Sequence, residues 1–370
     1  MDVFIVDAVR TPIGRGKADG ALHGVHPVDL LAQTLTALTE RAGLDPRHVE
    51  DIVCGCVTAT GEQGTNIGRL AGLKAGYPIE TPGLQLNRFC GSGQQAIHFA
   101  SQAIAAGDME IAIGCGVESM SRVPMGADAA LTDEFRAEFP CKLLHQGISA
   151  ELIAEKWGIS REEMDDFAVE SHCRASSSDI SKQIFAWNGL TRDEGVRSNP
   201  DVARMRALKP VFRPDGVVTA ANSSQISDGA AAVLLASGAA VEKFGLKKRA
   251  RIVARAVVGS DPELMLTGPI AATEKALKMA GLEASDIDAF EINEAFAVVP
   301  IVWAREIQPP AGRLNIEGGA IAHGHPLGAT GGVLMTKLVD ILEKNGGRYG
   351  LQSMCIGYGM ATATVIEILN

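Results

Sequence analysis

Twice along the chain an apolar run of strand length is followed by a helical stretch, a helix end spelled Ala-Gly-Leu, a short polar turn and a second strand. In the first half, residues 3–9 read as a buried strand. Residues 27–42 then carry Leu30, Leu31, Leu35 and Leu38 at helical spacing behind Pro27, which suits a helix start. Ala42-Gly43-Leu44 leads into Val49-Glu50-Asp51-Ile52-Val53. In the second half, residues 251–259 are strand-like and residues 269–280 helical, and Ala280-Gly281-Leu282 leads into Ile287-Asp288-Ala289-Phe290. A glycine past the last turn is a common helix terminus on its own. The matching order of elements around it is what points to two related halves.

The remaining elements keep that order. The first half adds strands at 51–57, 83–89 and 110–117 and helices at 66–75 and 92–107. The second adds a strand at 288–293, helices at 297–306 and 330–344, and closing strands at 353–357 and 361–369. Alternating strands and helices predict layered α/β halves. Between them lies a segment richer in charge, Met, Arg and Ser. It holds one clear helix at 160–174, with Ser160 as N-cap and Glu163 as its capping-box partner. The apolar character of the first half returns at 228–237. The expected division is residues 1–118 plus 223–250 for the first half, 119–222 for an inserted loop domain, and 251–370 for the second half.

Composition excludes several classes. Lys and Arg number 34 against 44 Asp and Glu, a net charge of −10 with no long basic run, so no general nucleic-acid surface is expected. The longest nearly apolar run, residues 229–241, is too short to span a bilayer, and the first residues are an apolar strand with an acid in it, unlike a secretory signal. A cytoplasmic chain with no membrane partner is the expectation. Seven scattered cysteines form no CxxC pair, so zinc ribbons and redox pairs are unsupported and reduced thiols are the default.

One of these thiols sits in Asn87-Arg88-Phe89-Cys90-Gly91-Ser92-Gly93, where a strand ends and a helix begins. The positive end of the helix dipole and unpaired N–H groups are expected to favour thiolate and to bind an oxyanion. A thiol nucleophile needs a base. The glycine-rich stretch Gly318-Gly319-Ala320-Ile321-Ala322-His323-Gly324-His325-Pro326-Leu327-Gly328 fits neither helix nor strand periodicity and supplies two histidines. No matching Cys/His/Asp cluster lies nearby in sequence, so no metal is expected, and a Cys–His pair for acyl transfer fits better. A second thiol, Cys355, ends a strand in the second half and is followed by glycines. Asn293-Glu294-Ala295-Phe296 also ends a strand, where polar residues tend to serve sites rather than cores.

Together with Glu118-Ser119-Met120-Ser121-Arg122, Val218-Thr219-Ala220 and Asp228-Gly229-Ala230-Ala231, these stretches resemble, in order and over essentially the whole chain, the thiolase family, which acts on 3-oxoacyl-CoA. The resemblance implies a fold of duplicated βαβαβαββ halves in a five-layered αβαβα core with an inserted loop domain. It implies a two-step acyl transfer with CoA as co-substrate and no permanently bound cofactor. Cys90 resembles the nucleophile, His325 the base that activates it, and Cys355 the acid/base for the departing carbanion. His325 and a water held by Asn293 would form one oxyanion hole, and the N–H groups of Cys90 and Gly357 the other.

By the same resemblance, Arg197 is similar to an adenine-contacting arginine. Ser224, Ala220 and Phe212 match positions lining the pantetheine channel, and His145 resembles a further contact there. The chain departs from the usual pattern at Tyr358 and Gln225 (commonly glycine), Gln146 (commonly methionine) and His323 (commonly aliphatic), and in a shorter stretch over residues 180–191. The family pairs into a dimer across the edge strand near residues 83–89, so a homodimer or homotetramer is expected. Two other readings compete. A decarboxylating ketoacyl synthase would be expected to carry His or Asn at position 355. A non-catalytic acyl-CoA carrier would not need Cys90, Asn293, His325 and Cys355 together.

Overall fold

The computed structural model describes residues 1–129, 131–185, 187 and 189–369. Ala186 and Asn188, inside the shortened stretch, lie outside the described residues. The first half contributes strands β1 (Val3–Arg10), β2 (Gly14–Arg15), β3 (Asp51–Gly55), β4 (Gly83–Leu86) and β5 (Ile111–Ser119), with helices α1 (Pro27–Ala42), α2 (Ile67–Lys74) and α3 (Ser92–Ala106). The middle segment is helical: α4 (Asp133–Ala137), α5 (Gln146–Trp157), α6 (Arg161–Ser177) and α7 (Val202–Arg206). Strand β6 (Ser227–Ser237) and helix α8 (Gly238–Phe244) complete the first half. The second half runs β7 (Ala250–Gly259), α9 (Gly268–Ala280), β8 (Ala289–Ile292), α10 (Val298–Ile307), α11 (Ala320–His323), α12 (Thr330–Asn345), β9 (Tyr349–Ile356) and β10 (Met360–Ile368).

The strand path is β4-β3-β5-β6-β1-β7-β10-β9-β8. It reads as two copies of one sheet joined edge to edge at β1 and β7. In one copy β3 is parallel to β5; in the other β8 is parallel to β9. The β3–β4 pairing has its counterpart in a single parallel bridge from Phe290 to Leu314. The agreement reaches individual residues. The antiparallel β1–β6 register slips between Ile5 and Asp7, leaving Val6 over, and the β7–β10 register slips so that Val253 is left over. A bulge kept at the same place in both copies is strong support for duplication, because bulges are specific local features rather than noise.

Apolar burial separates the layers. Leu31, Leu35 and Leu38 of α1 pack with Val6, Ile113, Cys115 and Leu234 on the outer face of the first sheet. Ile97 and Ala100 of α3 join Met335, Leu338 and Val339 of α12 between the two sheets. On the far side, Ala272 and Ala276 of α9 cover Ala256 and Ala363. Each fully buried aliphatic side chain of this kind contributes roughly 1.5–3 kcal/mol. Helix–sheet–helix–sheet–helix is the five-layered core expected of the thiolase fold.

The inserted segment belongs, in packing, to the second half. Ala150, Ile153 and Met164 from α5 and α6 share one core with Leu266, Phe296 and Trp303. Helix α5 was not expected from the sequence. Its Ser149, Ala150, Glu151, Ile153 and Ala154 are all buried, so it lacks a clean polar face. The N-cap of α6 is as expected, with the Glu163 N–H donating to Ser160 Oγ at 3.1 Å. The capping box is not: the Glu163 carboxylate is engaged by Arg305 at 2.7 and 2.8 Å instead.

Candidate active site

The duplicated fold brings the starts of α3 and α12 together in the middle layer. A Cβ on Gly331 would lie 2.0 Å from the Gln94 nitrogen, and one on Gly93 would lie 2.6 Å from the Gly328 oxygen. Only glycine permits that approach. The loop before α3 carries Cys90 and the loop before α12 carries His325, so this contact brings the two loops together. Glu118, fully buried at the end of β5, fastens both. Its carboxylate accepts from Val57 N (2.9 Å), Thr58 N (3.0 Å), Gln63 Nε2 (2.9 Å) and Gly328 N (2.9 Å). Val57 O in turn accepts from Asn87 Nδ2, and Asn87 Oδ1 from Phe89 N. Phe89 is held at φ 44, a left-handed conformation costly for a non-glycine residue, directly before Cys90.

Cys90 is buried, and burial pushes its thiol up to about 12, with the neighbouring Cys355 adding to the rise and the Gln146 side chain opposing it. Burial therefore outweighs the local effects expected to favour thiolate. A helix N-terminus is worth about 0.3–1 kcal/mol, rarely 2. Removing a thiolate from water shifts its equilibrium by several times that. At rest the Cys90 side chain is a thiol, which would need a base to act as a nucleophile.

The imidazole of His325 is buried, and burial holds it down at about 4, so it is neutral near pH 7. Its Nδ1 lies 2.6 Å from Thr330 Oγ1, and that hydroxyl donates to Pro326 O at 2.8 Å. A hydroxyl that spends its proton on a carbonyl can only accept from the ring. Nδ1 is thus the protonated nitrogen and Nε2 is left bare, the form a base requires. The Asn293 amide sits at Nε2 (3.4 Å) and donates to Cys355 Sγ at 3.7 Å. Asn293 Oδ1 is buried without a partner among the described residues. Burial raises the Cys355 thiol to about 11, against a lowering by Asn293.

The structure brings His325 and Cys355 each within reach of the Asn293 amide. No hydrogen bond joins Cys90 Sγ to His325 among the described residues. Gly357 faces the same space: a Cβ there would lie 3.0 Å from Gln146 Nε2 and 3.9 Å from the Phe89 ring. Beside it Tyr358 stands at φ 60, with its ring 5.4 Å from that of Phe89. The second histidine of the loop is not part of this cluster. His323 Nδ1 lies 2.9 Å from Gly324 O, and burial, then Lys337 and Arg10, hold its ring well below the usual histidine range. Glu294 likewise turns away, accepting from Ser171 Oγ (2.7 Å), Asn315 Nδ2 (2.9 Å) and Ile321 N (3.2 Å) to fix the loop before α11.

The other expected residues fall outside this cluster. His145 caps α5 through Nδ1, and its ring lies 5.0 Å from that of Phe212. Phe212 in turn meets Phe296 at 6.0 Å, and Ala220 is exposed. Ser224 N donates to Ala295 O at 2.9 Å, which ties its segment to the Asn293 strand end. Arg197 is exposed, and its N–H donates to His172 Nδ1 at 3.2 Å. The arm carrying it is anchored by the buried Arg10–Asp193 pair, bonded at 2.7 and 3.0 Å. Thr330 and Ser227, whose hydroxyls orient the side chain and backbone of His325, were missed in the sequence. Thr330 stands five residues beyond His325 in the same glycine-rich stretch, which is the only local signal for it. Among the described residues no group of three or more His, Cys, Asp or Glu is placed to hold a metal ion.

A buried thiol at a strand-to-helix turn, a neutral imidazole with a bare Nε2, and a second thiol sharing one amide with it form a centre able to run thiol-based acyl transfer between two duplicated α/β halves. Residues 3–239 match the family described as thiolase, N-terminal domain, and residues 246–368 the thiolase, C-terminal domain. The steroid 3-ketoacyl-CoA thiolase FadA6 of Mycobacterium tuberculosis is 46% identical over 388 residues, spanning 100% of this chain and 94% of the relative. The 3-ketoacyl-CoA thiolases of Idiomarina loihiensis (41%) and Serratia proteamaculans (42%) align over 384 residues, 99% of both chains in each comparison. The chain belongs to the thiolase family.

Proposed function

We propose that this protein is an acyltransferase that cleaves or forms 3-oxoacyl-CoA, with CoA as co-substrate: 3-oxoacyl-CoA + CoA = acyl-CoA + acetyl-CoA. The observation that carries the reading is the Asn293 amide, which reaches both His325 Nε2 and Cys355 Sγ in the pocket beside Cys90. In the thiolytic direction His325 takes the Cys90 proton as the sulfur attacks the 3-oxo carbon. The oxyanion is held by the N–H groups of Cys90 and Gly357. The bond between C2 and C3 breaks, and Cys355 protonates the departing acetyl-CoA carbanion. That carbanion's enolate oxygen is met by His325 and a water on Asn293. The thiol of CoA then attacks the Cys90 thioester, giving its proton to the Cys355 thiolate, and Cys90 leaves with the proton held on His325. The nucleotide lies along Arg197, with pantetheine passing His145, Phe212, Ala220 and Ser224. Cys90→Ala should fold and lose thiolysis of acetoacetyl-CoA, read by absorbance; retained turnover would sink the mechanism.

We also propose a homodimer formed at the β4 edge. Leu84 on that strand, Leu70 and Leu73 on α2, Ile79 and Phe99 are all exposed apolar side chains around it. An open strand edge with such a surround is a ready pairing surface. Residues 1–118 with 223–250, 119–222 and 251–370 remain our proposed division of the chain, with residues 119–222 as the CoA-binding part. Among the described residues no helix is long and apolar enough to cross a membrane. A cytoplasmic location remains our proposal.

A further inference from the structure

The Gln225 side chain joins two stretches that, among the described residues, no other hydrogen bond joins directly. Its Nε2 donates to Ile321 O (2.9 Å) and Ala322 O (2.9 Å), the carbonyls of α11 just ahead of the base loop. The same nitrogen reaches Gly195 O at 3.2 Å, two residues before Arg197. Three carbonyls around one nitrogen fix which way the amide points. The backbone oxygen of Gln225 accepts from His325 N at 3.1 Å, and Ser227 Oγ, which donates to that oxygen at 2.8 Å, accepts from the same His325 N–H at 3.2 Å. Gly195 is shaped to this side chain. It is buried, and a Cβ there would lie 2.6 Å from Gln225 Oε1.

We propose that Gln225 is a positioning residue whose carboxamide yokes the arm bearing Arg197 to the loop bearing His325, so that CoA bound on the arm steadies the base. The proposal rests on the reading of Arg197 as a CoA contact and His325 as the base. A nucleotide held by Arg197 limits movement of Gly195; the shared amide passes that restraint to Ile321, Ala322 and His325.

The test compares thiolysis of acetoacetyl-CoA by CoA with thiolysis of S-acetoacetylpantetheine by pantetheine, the second pair lacking the nucleotide in both the acyl donor and the acceptor thiol. In the unaltered protein CoA should give a higher kcat than pantetheine, beyond its lower KM. Gln225→Gly removes the carboxamide that links the two loops, so the kcat ratio should fall to about one. Gly195→Ala, which leaves Gln225 in the chain but displaces its amide, should lower the ratio in the same way. The double variant should be no worse than Gln225→Gly alone, because the new methyl then enters the space the amide left.

A merely structural role would lower both kcat values together and leave their ratio unchanged, which overturns the proposal. So would a ratio of one in the unaltered protein, or additive losses in the double variant. If Gln225→Gly fails to fold, Gly195→Ala with CoA and pantetheine still decides. Full turnover in His325→Ala would instead overturn the assignment of the base, a result separable from all of these.

Discussion

Thr330 offers the sharpest perturbation, because its hydroxyl alone fixes the tautomer of His325. The Oγ1 donates to Pro326 O and therefore accepts Nδ1–H across 2.6 Å. Thr330→Val keeps the volume and removes the acceptor. Pro326 O stays satisfied, since it also accepts from Ala329 N and Thr330 N at 2.9 Å each. The loss falls on the ring, whose Nδ1–H is then buried and unpaired at a cost of about 1–3 kcal/mol. Moving the proton to Nε2 relieves that cost but points it at the Asn293 amide and abolishes the base. With about 1.4 kcal/mol per tenfold in rate, kcat should fall roughly 5- to 150-fold, while Thr330→Ser stays near the starting value. The assay is acetoacetyl-CoA thiolysis, paired with 15N chemical shifts of labelled His325 and a thermal melt. An unchanged kcat in Thr330→Val, with Nδ1 still protonated and the fold intact, refutes the reasoning.

The remaining expectations concern pH and assembly. Because burial holds Cys90 up at about 12, its alkylation by iodoacetamide should be slow at pH 7 and still rising at pH 10; a plateau below pH 8 would contradict this. His325 is held at about 4 and His172 at about 4, in each case chiefly by burial, below the ordinary 6.5. Their folded values are depressed, so the neutral rings contribute stability that is present above pH 6.5 and lost as pH falls toward 4. For the fully buried His325 the drop amounts to roughly 3 kcal/mol at about 1.4 kcal/mol per pH unit. Urea midpoints measured from pH 7 to 4 should fall across that window, and a flat profile would count against the burial of these rings. Leu84→Asp on the β4 edge should halve the mass seen by sedimentation if the dimer forms there.

Much of the centre was legible because its chemistry is written locally. Cys90 and His325 each sit in a glycine-rich stretch ahead of a helix, and Cys355 and Asn293 each end a strand, patterns that a packed core does not require. The duplication was visible in Ala-Gly-Leu and in element order, and the shared bulge at Val6 and Val253 deepens it. The balance at Cys90 was not legible because the helix dipole is a local effect while desolvation comes from the whole fold. Glu118, Thr330 and the Gln225 amide were unreadable as site-builders, since each acts on partners chosen by tertiary proximity. Helix α5 escaped because its burial does not follow one face. The start of β9 at Tyr349 escaped because Gly350 and Gln352 interrupt its apolar pattern. Glu163 was drawn from its capping box by Arg305, far along the chain.

The central claim is a division of labour between two thiols, and peptide mass spectrometry after incubation with acetyl-CoA tests it most directly. The Cys355→Ser protein should carry an acetyl group on the peptide containing Cys90 while forming no acetoacetyl-CoA. Acetoacetyl-CoA formed at the normal rate, or an acetyl group found elsewhere with Cys90 unlabelled, would contradict the account.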